Sequence, residues 1–316
     1  MAIEPDIFLA QDDVHLLVQA LNTLALEVDS PDERKEMLVN AGIDLAFRSK
    51  LTFGISPYLF ANKLTAQFRE YPVSVQQPAY HPMVSLLDYL LKAYQLEDQD
   101  RNLFQRLVKQ GMENFSGLAA LRAVGRIESP LGTAMGTGVL VDKQVLLTCK
   151  HVFERIFDQG LRSAWVRFGY KTGKYGLELG EVFELDISSI HYYVTQSNHT
   201  LDYALARING ETACHAVSLS SAWLNRMQNV RIVHHPRGEA AQISDIGQIV
   251  AVNKEYIQHN IKTDYGSSGA PIFDQNWQVV AIHRGILALS RSYAPGVTEA
   301  IPVGSMWNDI KSHFSC

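Results

Sequence analysis

The chain has 316 residues, 47% of them hydrophobic and 19% charged, and a formal net charge of −5 at pH 7. This composition can bury a core, which excludes wholesale disorder, and the length is typical of about two domains. The acidic balance argues against a nucleic-acid partner, because phosphate binding needs clustered Lys and Arg. Three cysteines are too few for a disulfide framework. With no long apolar run and no basic leader, we expect no membrane partner and a reducing, cytoplasmic location.

Helical patterns fill the first part of the chain. An apolar stripe recurs at helical spacing from Val14 to Leu21, and Ser30-Pro31-Asp32-Glu33 reads as a capping box whose helix ends at Gly42. The pairs Ser56-Pro57 and His81-Pro82 begin two more helices, and an amphipathic stretch from Leu103 runs to about Gly111. These features predict a small all-α bundle over residues 1–95 and a helical linker over 96–117, with no catalytic group in either.

The pattern changes to strands from about residue 118. Short apolar runs alternate with turn residues, and Gly and β-branched residues become more frequent. The clearest runs cover residues 137–141, 145–148, 164–168 and 278–282. Many short strands with turn signals predict an all-β barrel or sandwich over residues 118–316.

Three separated segments of the β region carry residues suited to nucleophilic catalysis. His151 follows a strand, Asp202 enters a strand, and Ser268 lies in the Gly/Ser-rich turn 264–273. A serine needs an adjacent base to become a nucleophile, histidine supplies that base near neutral pH, and a carboxylate orients the imidazole. Each segment alone also fits an ordinary turn or strand end, and it is their joint occurrence that is specific.

These segments resemble the chymotrypsin-like serine proteases over residues 118–310. Thr148-Cys-Lys-His151, Asp202-Tyr-Ala-Leu and Gly266-Ser-Ser-Gly-Ala-Pro271 are similar to the family's three motifs and occur in the family's order. The resemblance implies two six-stranded antiparallel barrels with the active site between them. It implies His151 as general base, Asp202 as its orienting carboxylate, and Ser268 as nucleophile, with the N–H groups of Gly266 and Ser268 as the oxyanion hole. The expected fold is therefore α+β multidomain, an all-α bundle followed by a double barrel.

The motifs depart from the family pattern at three positions. Ser267 replaces the aspartate that, in secreted members, pairs with an N-terminus freed by cleavage, which puts that activation route in doubt. Val152 stands where many secreted members have a disulfide cysteine, in agreement with a reducing compartment. Arg284 replaces a serine, so we expect a hydrogen bond to the catalytic aspartate to be missing.

The specificity pocket is read from the same resemblance. Lys262, Thr263 and His283 fall at the positions that wall the pocket, and Thr263 with His283 resembles the pocket of glutamyl endopeptidases. A buried carboxylate needs hydrogen-bonding partners, which a hydroxyl and an imidazole provide, so cleavage after Glu or Asp is expected. Lys262 either joins them or points to solvent, the usual place of a lysine.

Residues 10–95 resemble the bacterial effector-associated domains, for which we expect the first type. The resemblance rests on segments such as Leu16–Leu21, Ser30–Arg34 and His81–Leu90. It implies recruitment by a protein that carries a similar helical adaptor domain, in a bacterial conflict or immune system. The alternative is a bundle that only stabilises the β domain.

The favoured function is an intracellular serine endopeptidase that acts on protein or peptide substrates. The alternative is an inactive protease-fold scaffold that binds peptides. We expect no cofactor and no metal, because His234 and His235 are adjacent and the sequence has no zinc-type ligand spacing or phosphate-binding loop.

Overall fold

The computed structural model describes residues 8–28, 30–71, 73, 79–173, 176–192, 201–285 and 296–314. The chain divides between Leu118 and Ala119 into two compact units. The first unit is helical, and the second contains all the strands assigned in the described ranges. No helix in these ranges combines the length and apolar character that a membrane span requires.

The helices of the first unit begin and end at the signals that the sequence provides. Ser30 Oγ accepts the N–H of Glu33, whose carboxylate accepts the Ser30 N–H in return, so the predicted capping box is present. Gly42 takes a φ of +70° just after that helix, as expected of a helix end. The helices are α1 (Gln11–Glu27), α2 (Pro31–Asn40), α3 (Leu45–Arg48), α4 (Pro57–Glu70), α5 (Pro82–Ala93) and α6 (Asp98–Ala123).

Helix α6 is longer than the sequence predicts. It continues through Gly111 instead of ending there. A Cβ atom at Gly111 would lie 2.3 Å from Val84 Cγ2, so this glycine permits α5 and α6 to approach closely. Leu103, Phe104 and Leu107, from the segment predicted as a linker, are buried in the core of the helical unit.

The first six-stranded barrel of the second unit follows α6 directly. Its closed antiparallel order is β1-β2-β3-β8-β7-β4. Helix α7 (Lys150–Asp158) lies between β3 and β4 in sequence, and a two-stranded ribbon forms from β5 and β6. The strands are β1 (Val124–Glu128), β2 (Ala134–Asp142), β3 (Val145–Thr148), β4 (Ala164–Phe168), β5 (Lys171–Gly173), β6 (Gly176–Glu178), β7 (Glu181–Tyr192) and β8 (Ala204–Asn209).

The second barrel is also antiparallel and closes through a pairing of β9 with β13. The ring order is β9-β11-β12-β15-β14-β13, with β10 added at β9. This confirms the predicted α+β architecture with two six-stranded barrels. The elements are β9 (Asn229–His234), β10 (Gln242–Ile243), β11 (Gly247–Val252), β12 (Ile257–His259), β13 (Pro271–Phe273), β14 (Val279–Gly285), β15 (Thr298–Pro302) and α8 (Val303–Ile310), with one-turn 3-10 helices at Pro236–Gly238 and Lys311–His313.

A buried charge cluster stabilises the wall of the first barrel. The Glu128 side chain is fully buried, and its Oε1 accepts hydrogen bonds from Arg126 and Arg167. The Gly132 N–H donates to the other oxygen at 2.7 Å. Burial raises the pKa of Glu128, but the hydrogen bonds from the two arginines outweigh it and lower the pKa to about 2. The carboxylate is therefore ionised and paired throughout the physiological pH range.

Candidate active site

The strand pairing of the first barrel brings two of the predicted catalytic residues together. Strand β3 pairs with β8, with Thr148 opposite Ala204. His151 lies in the first turn of α7, three residues after Thr148, and Asp202 lies two residues before Ala204. Both side chains therefore emerge at the same end of the β3–β8 pair.

The Asp202 carboxylate contacts His151 at two points. Asp202 Oδ2 accepts the Nδ1–H of the imidazole at 2.6 Å, and Oδ1 accepts the backbone N–H of His151 at 2.9 Å. A carboxylate is only an acceptor, so the proton of a neutral imidazole is on Nδ1 and Nε2 has a free lone pair. The imidazole of His151 is therefore held in one orientation, and its Nε2 can accept a proton.

The same contacts keep Asp202 ionised. Burial raises the pKa of its carboxyl, but the hydrogen bonds and charge of His151 and the charge of Arg284 act in the opposite direction. The net result is a pKa below the ordinary value of an aspartate. Asp202 can therefore stabilise an imidazolium at neutral pH without taking up the proton itself.

The turn that carries Ser268 is attached to the first barrel through Thr137. The Thr137 N–H donates to the Ser268 carbonyl and its Oγ1 donates to the Gly266 carbonyl, both at 2.8 Å. Thr148 Oγ1 in turn donates to the Thr137 carbonyl at 2.7 Å. Thr148, two residues before the helix that contains His151, is thus linked through Thr137 to the backbone of Ser268.

Gly269 permits this close approach. It has a φ of +84°, and a Cβ atom there would lie 2.1 Å from Thr148 Oγ1 and 2.2 Å from the Thr137 carbonyl oxygen. No residue with a side chain fits between the turn and the end of β3. Ser268 is therefore held at the same edge of the first barrel as His151.

The Ser268 hydroxyl has no structural partner among the described residues. Its side chain is half-buried and makes no hydrogen bond, including to His151. Hydrogen bonds between catalytic groups are often long without substrate and shorten in the complex. The hydroxyl is thus available for chemistry.

The backbone of the same turn presents two N–H groups. Those of Gly266 and Ser268 donate to no described residue, whereas those of Ser267 and Gly269 donate to the carbonyls of Asp264 and His283. The Tyr265 carbonyl accepts the N–H of Arg237. The C=O of Tyr265 and the N–H of Gly266 belong to one trans peptide and point in opposite directions, so the Gly266 N–H points away from Arg237. A φ of +89° at Gly266 makes this conformation one that favours glycine.

Ser267 is buried, and its side chain is held by a histidine that the sequence does not single out for catalysis. Its Oγ lies 2.8 Å from Nδ1 of His234, at the end of β9, and also accepts the Asp264 N–H at 3.3 Å. Burial lowers the pKa of His234 to about 4, so this pair is neutral at physiological pH. The turn before Ser268 is therefore fixed by an uncharged contact.

The three predicted pocket residues differ in their surroundings. His283 is buried on β14, Thr263 is half-buried, and Lys262 is exposed. His283 Nδ1 lies 3.1 Å from Nε2 of the buried His259, a contact with no sequence signal because the two residues are on different strands. Burial lowers the pKa of both imidazoles, that of His259 to about 4.

The contact of Arg284 with Asp202 contradicts one expectation from the sequence. Arg284 Nε donates to Asp202 Oδ2 at 3.2 Å, so the predicted loss of a hydrogen bond at the carboxylate is wrong. A long side chain reaches from β14 where the resemblance led us to expect only a hydroxyl.

One group of residues has the composition of a metal site. Ligand-type atoms of Cys149, His151 and Asp202 lie within 4.8 Å of one another. However, the Cys149 thiol is buried and donates to the His283 carbonyl, and burial raises its pKa well above the ordinary value. Both Asp202 oxygens are already occupied by His151. These contacts fit a proton-transfer pair better than a metal ligand set.

Family models match both parts of the chain. The family model described as trypsin-like peptidase domain matches residues 136–282, and that described as effector-associated domain 8 matches residues 11–110. The helical domain is therefore of the predicted class but of the eighth type, not the first.

Curated relatives match about half of the chain. The uncharacterized protein y4fB of Sinorhizobium fredii is 30% identical over 189 residues, which cover 53% of this chain and 28% of that protein. The glutamyl endopeptidase of Staphylococcus aureus strain MW2 is 26% identical over 169 residues, covering 51% of this chain and 49% of the relative. The chain thus spans half or less of the length of these relatives.

A solved structure has the same fold. A Glu endopeptidase in complex with MPD aligns with a TM-score of 0.50 and 15% identity, covering 61% of this chain and 90% of that one. This likeness concerns the fold of the peptidase region alone. The family matches place an effector-associated domain 8 at residues 11–110, followed by a trypsin-like peptidase domain at residues 136–282.

Proposed function

We propose that this protein is a serine endopeptidase in which Ser268, His151 and Asp202 form the catalytic triad. The observation that carries the proposal is the two-point contact of Asp202 with His151, which leaves Nε2 as a base. His151 takes the Ser268 proton as Oγ attacks the scissile carbonyl, and returns it to the leaving amine. Water, activated by the same histidine, then hydrolyses the acyl-enzyme and regenerates Ser268.

The N–H groups of Gly266 and Ser268 are proposed to stabilise the oxyanion of both tetrahedral intermediates. Two preorganised donors of this kind are worth far more in a water-excluded cleft than in water. The availability of both groups in the described structure supports this role.

The triad is tested with a fluorophosphonate probe and with Ser268→Ala. We expect the purified chain to be labelled, and the variant to lose labelling and at least about 10³-fold in turnover while its thermal unfolding is unchanged. Basal activity is expected to be weak, since a recruited protease must be restrained before recruitment. Labelling of Ser268→Ala, or failure to label the wild type with its partner present, would rule out the triad and leave a peptide-binding scaffold.

We further propose that the enzyme cleaves after Glu or Asp, through Thr263 and His283. His259 Nδ1 accepts the Ile261 N–H at 3.3 Å, so a neutral His259 carries its proton on Nε2, which lies 3.1 Å from His283 Nδ1 and 3.2 Å from Thr298 Oγ1. When this proton is donated to His283 Nδ1, the proton of His283 is on Nε2, and that atom is a donor. A donor imidazole and a hydroxyl are suitable partners for a substrate carboxylate.

Peptides that differ only in Glu or Gln at P1 test this specificity. The two side chains have the same size, so a preference for Glu by about 100-fold or more in kcat/KM reports recognition of the charge. Thr263→Val removes the hydroxyl while keeping the shape, and we expect it to reduce the Glu/Gln ratio about tenfold. Equal rates for the pair, or a preference for Lys or Leu, would contradict an acidic pocket. Lys262→Ala determines whether Lys262 contributes or only faces solvent.

The helical domain is proposed to recruit the peptidase to a protein with a similar adaptor domain, in a cytoplasmic bacterial conflict or immune system. The match to an effector-associated domain supports this, as do exposed apolar side chains such as Leu45, 70% exposed, and Leu26, 61% exposed. The full-length Ser268→Ala protein is the bait for proteins encoded beside its gene. We expect Leu45→Asp to abolish capture and Leu177→Asp, which alters an exposed leucine of the peptidase unit, to leave it intact. Equal capture by both variants would contradict recruitment through this surface.

A further inference from the structure

Arg284 lies at a β-bulge in the second barrel, which changes the direction of its side chain relative to the regular strand. Strand β14 pairs with β15 so that His283 is opposite Ala300 and Gly285 is opposite Glu299. Two steps along β14 therefore match one step along β15, and Arg284 is the bulged residue. Bulges redirect a side chain and are frequent beside active sites.

The redirected guanidinium reaches the catalytic carboxylate. Arg284 Nε donates to Asp202 Oδ2 at 3.2 Å, the same oxygen that accepts His151 Nδ1–H at 2.6 Å. On its other side, Arg284 Nη1 lies 3.9 Å from Oε2 of the buried Glu299. The arginine side chain is 24% exposed, so its charge is only partly screened by solvent.

We propose, on the basis of the triad assigned above, that Arg284 is a positioning residue that anchors Asp202 opposite His151 and shifts the active pH range of the protease downward. A fixed cation beside Asp202 disfavours a second positive charge on His151. Removing this cation should therefore make protonation of His151 easier and should stabilise the imidazolium that forms during catalysis. The same hydrogen bond restricts rotation of the carboxylate, which keeps both oxygens on His151.

Among the other groups near this pair, Lys150 is paired with Glu154 on α7, two are uncharged and one carries a negative charge. Cys149, which follows β3, is a buried thiol with a raised pKa and is uncharged. His283 on β14 is neutral because burial lowers its pKa. Glu299 on β15 opposes Arg284, so its removal should act in the opposite direction.

Three substitutions at Arg284 separate charge from geometry. Arg284→Gln keeps a donor but removes the charge, and we expect the acidic limb of the kcat/KM profile to move up by about one pH unit. Arg284→Lys keeps the charge and should restore most of the wild-type position, whereas Arg284→Ser should resemble Arg284→Gln. Glu299→Gln should move the limb slightly down. Arg226→Gln, which removes an exposed charge from the same unit, is the control and should move nothing.

A readout independent of turnover distinguishes this proposal from the assignment of the protease itself. The His151 ring resonances of the full-length chain are followed by NMR against pH, in the Ser268→Ala background with and without Arg284→Gln. A titration midpoint that rises by about one unit supports the proposal even if no substrate is cleaved. A midpoint that stays within about 0.2 units overturns it, whether or not Ser268 is labelled by the fluorophosphonate. An effect confined to KM would also overturn it, because Arg284 would then bind substrate and not Asp202.

Discussion

Replacing Gly269 with alanine tests whether docking of the Ser268 turn on the first barrel sets the position of the nucleophile. The new methyl group would lie 2.1 Å from Thr148 Oγ1 and 2.2 Å from the Thr137 carbonyl oxygen, where ordinary contacts begin at 3.4 Å. These two atoms are hydrogen-bonded to each other, so neither can move away without breaking that bond. The turn must therefore shift by about 1 Å, which is sufficient to reduce catalysis about 100-fold.

The energetic cost has two parts that a matched variant separates. A non-glycine residue at positive φ costs about 1–2 kcal/mol, and Gly160, with a φ of +76° and no heavy atom within 4 Å of its Cβ position, isolates this part. We expect Gly160→Ala to lower the melting temperature but to keep the kcat/KM on a P1-Glu peptide. Gly269→Ala should lower both the melting temperature and kcat/KM. If Gly269→Ala retained more than about a third of the activity, the contact with Thr137 and Thr148 would not determine where Ser268 lies.

Replacing Glu128 with Gln removes the carboxylate shared by two arginines, and we expect a loss of about 3 kcal/mol from the unfolding free energy of the peptidase unit, measured with urea; a loss below 1 kcal/mol would contradict the buried pairing. Ser30→Ala removes the capping box of α2 and should cost the helical unit about 1 kcal/mol in the same assay, with an unchanged value arguing against the cap. The stability of the second barrel should fall as pH decreases from 6.5 towards about 4. Burial lowers the pKa of three of its histidines, His234, His235 and His259, so over this range the unfolded chain binds protons that the folded chain does not. A free energy of unfolding that stays constant between about pH 6.5 and 5 would contradict this.

Local features of the sequence were sufficient to predict several strands of the first barrel, including the one that precedes His151. The run 145–148 matches β3 and the run 164–168 matches β4, because apolar residues bounded by turn signals have few other conformations available. His151 and Asp202 follow or precede such strands directly, so their positions were fixed once the strands were paired. The capping box at Ser30 was likewise a local signal.

Contacts between distant segments could not be predicted in the same way. Gly111 is predicted to end a helix, but the glycine is needed there because Val84 of another helix packs against it. The contact of His259 with His283 depends on strand pairing in the second barrel. The direction of Arg284 depends on a one-residue bulge, and a shift of one residue would have placed its side chain on the other face of the sheet.

The Ser267–His234 contact explains how the turn around Ser268 is organised without the aspartate that the family resemblance leads us to expect. A buried carboxylate at this position would need a cation, since an unpaired charge costs several kcal/mol. A hydroxyl needs only a hydrogen bond, which His234 supplies at 2.8 Å as a neutral partner. The conformation of Gly266 and Ser268 can then be set by folding of the barrel alone, with no ionic contact to be made or broken. In the proposed peptidase, control would accordingly act on access or recruitment, and not on assembly of this turn.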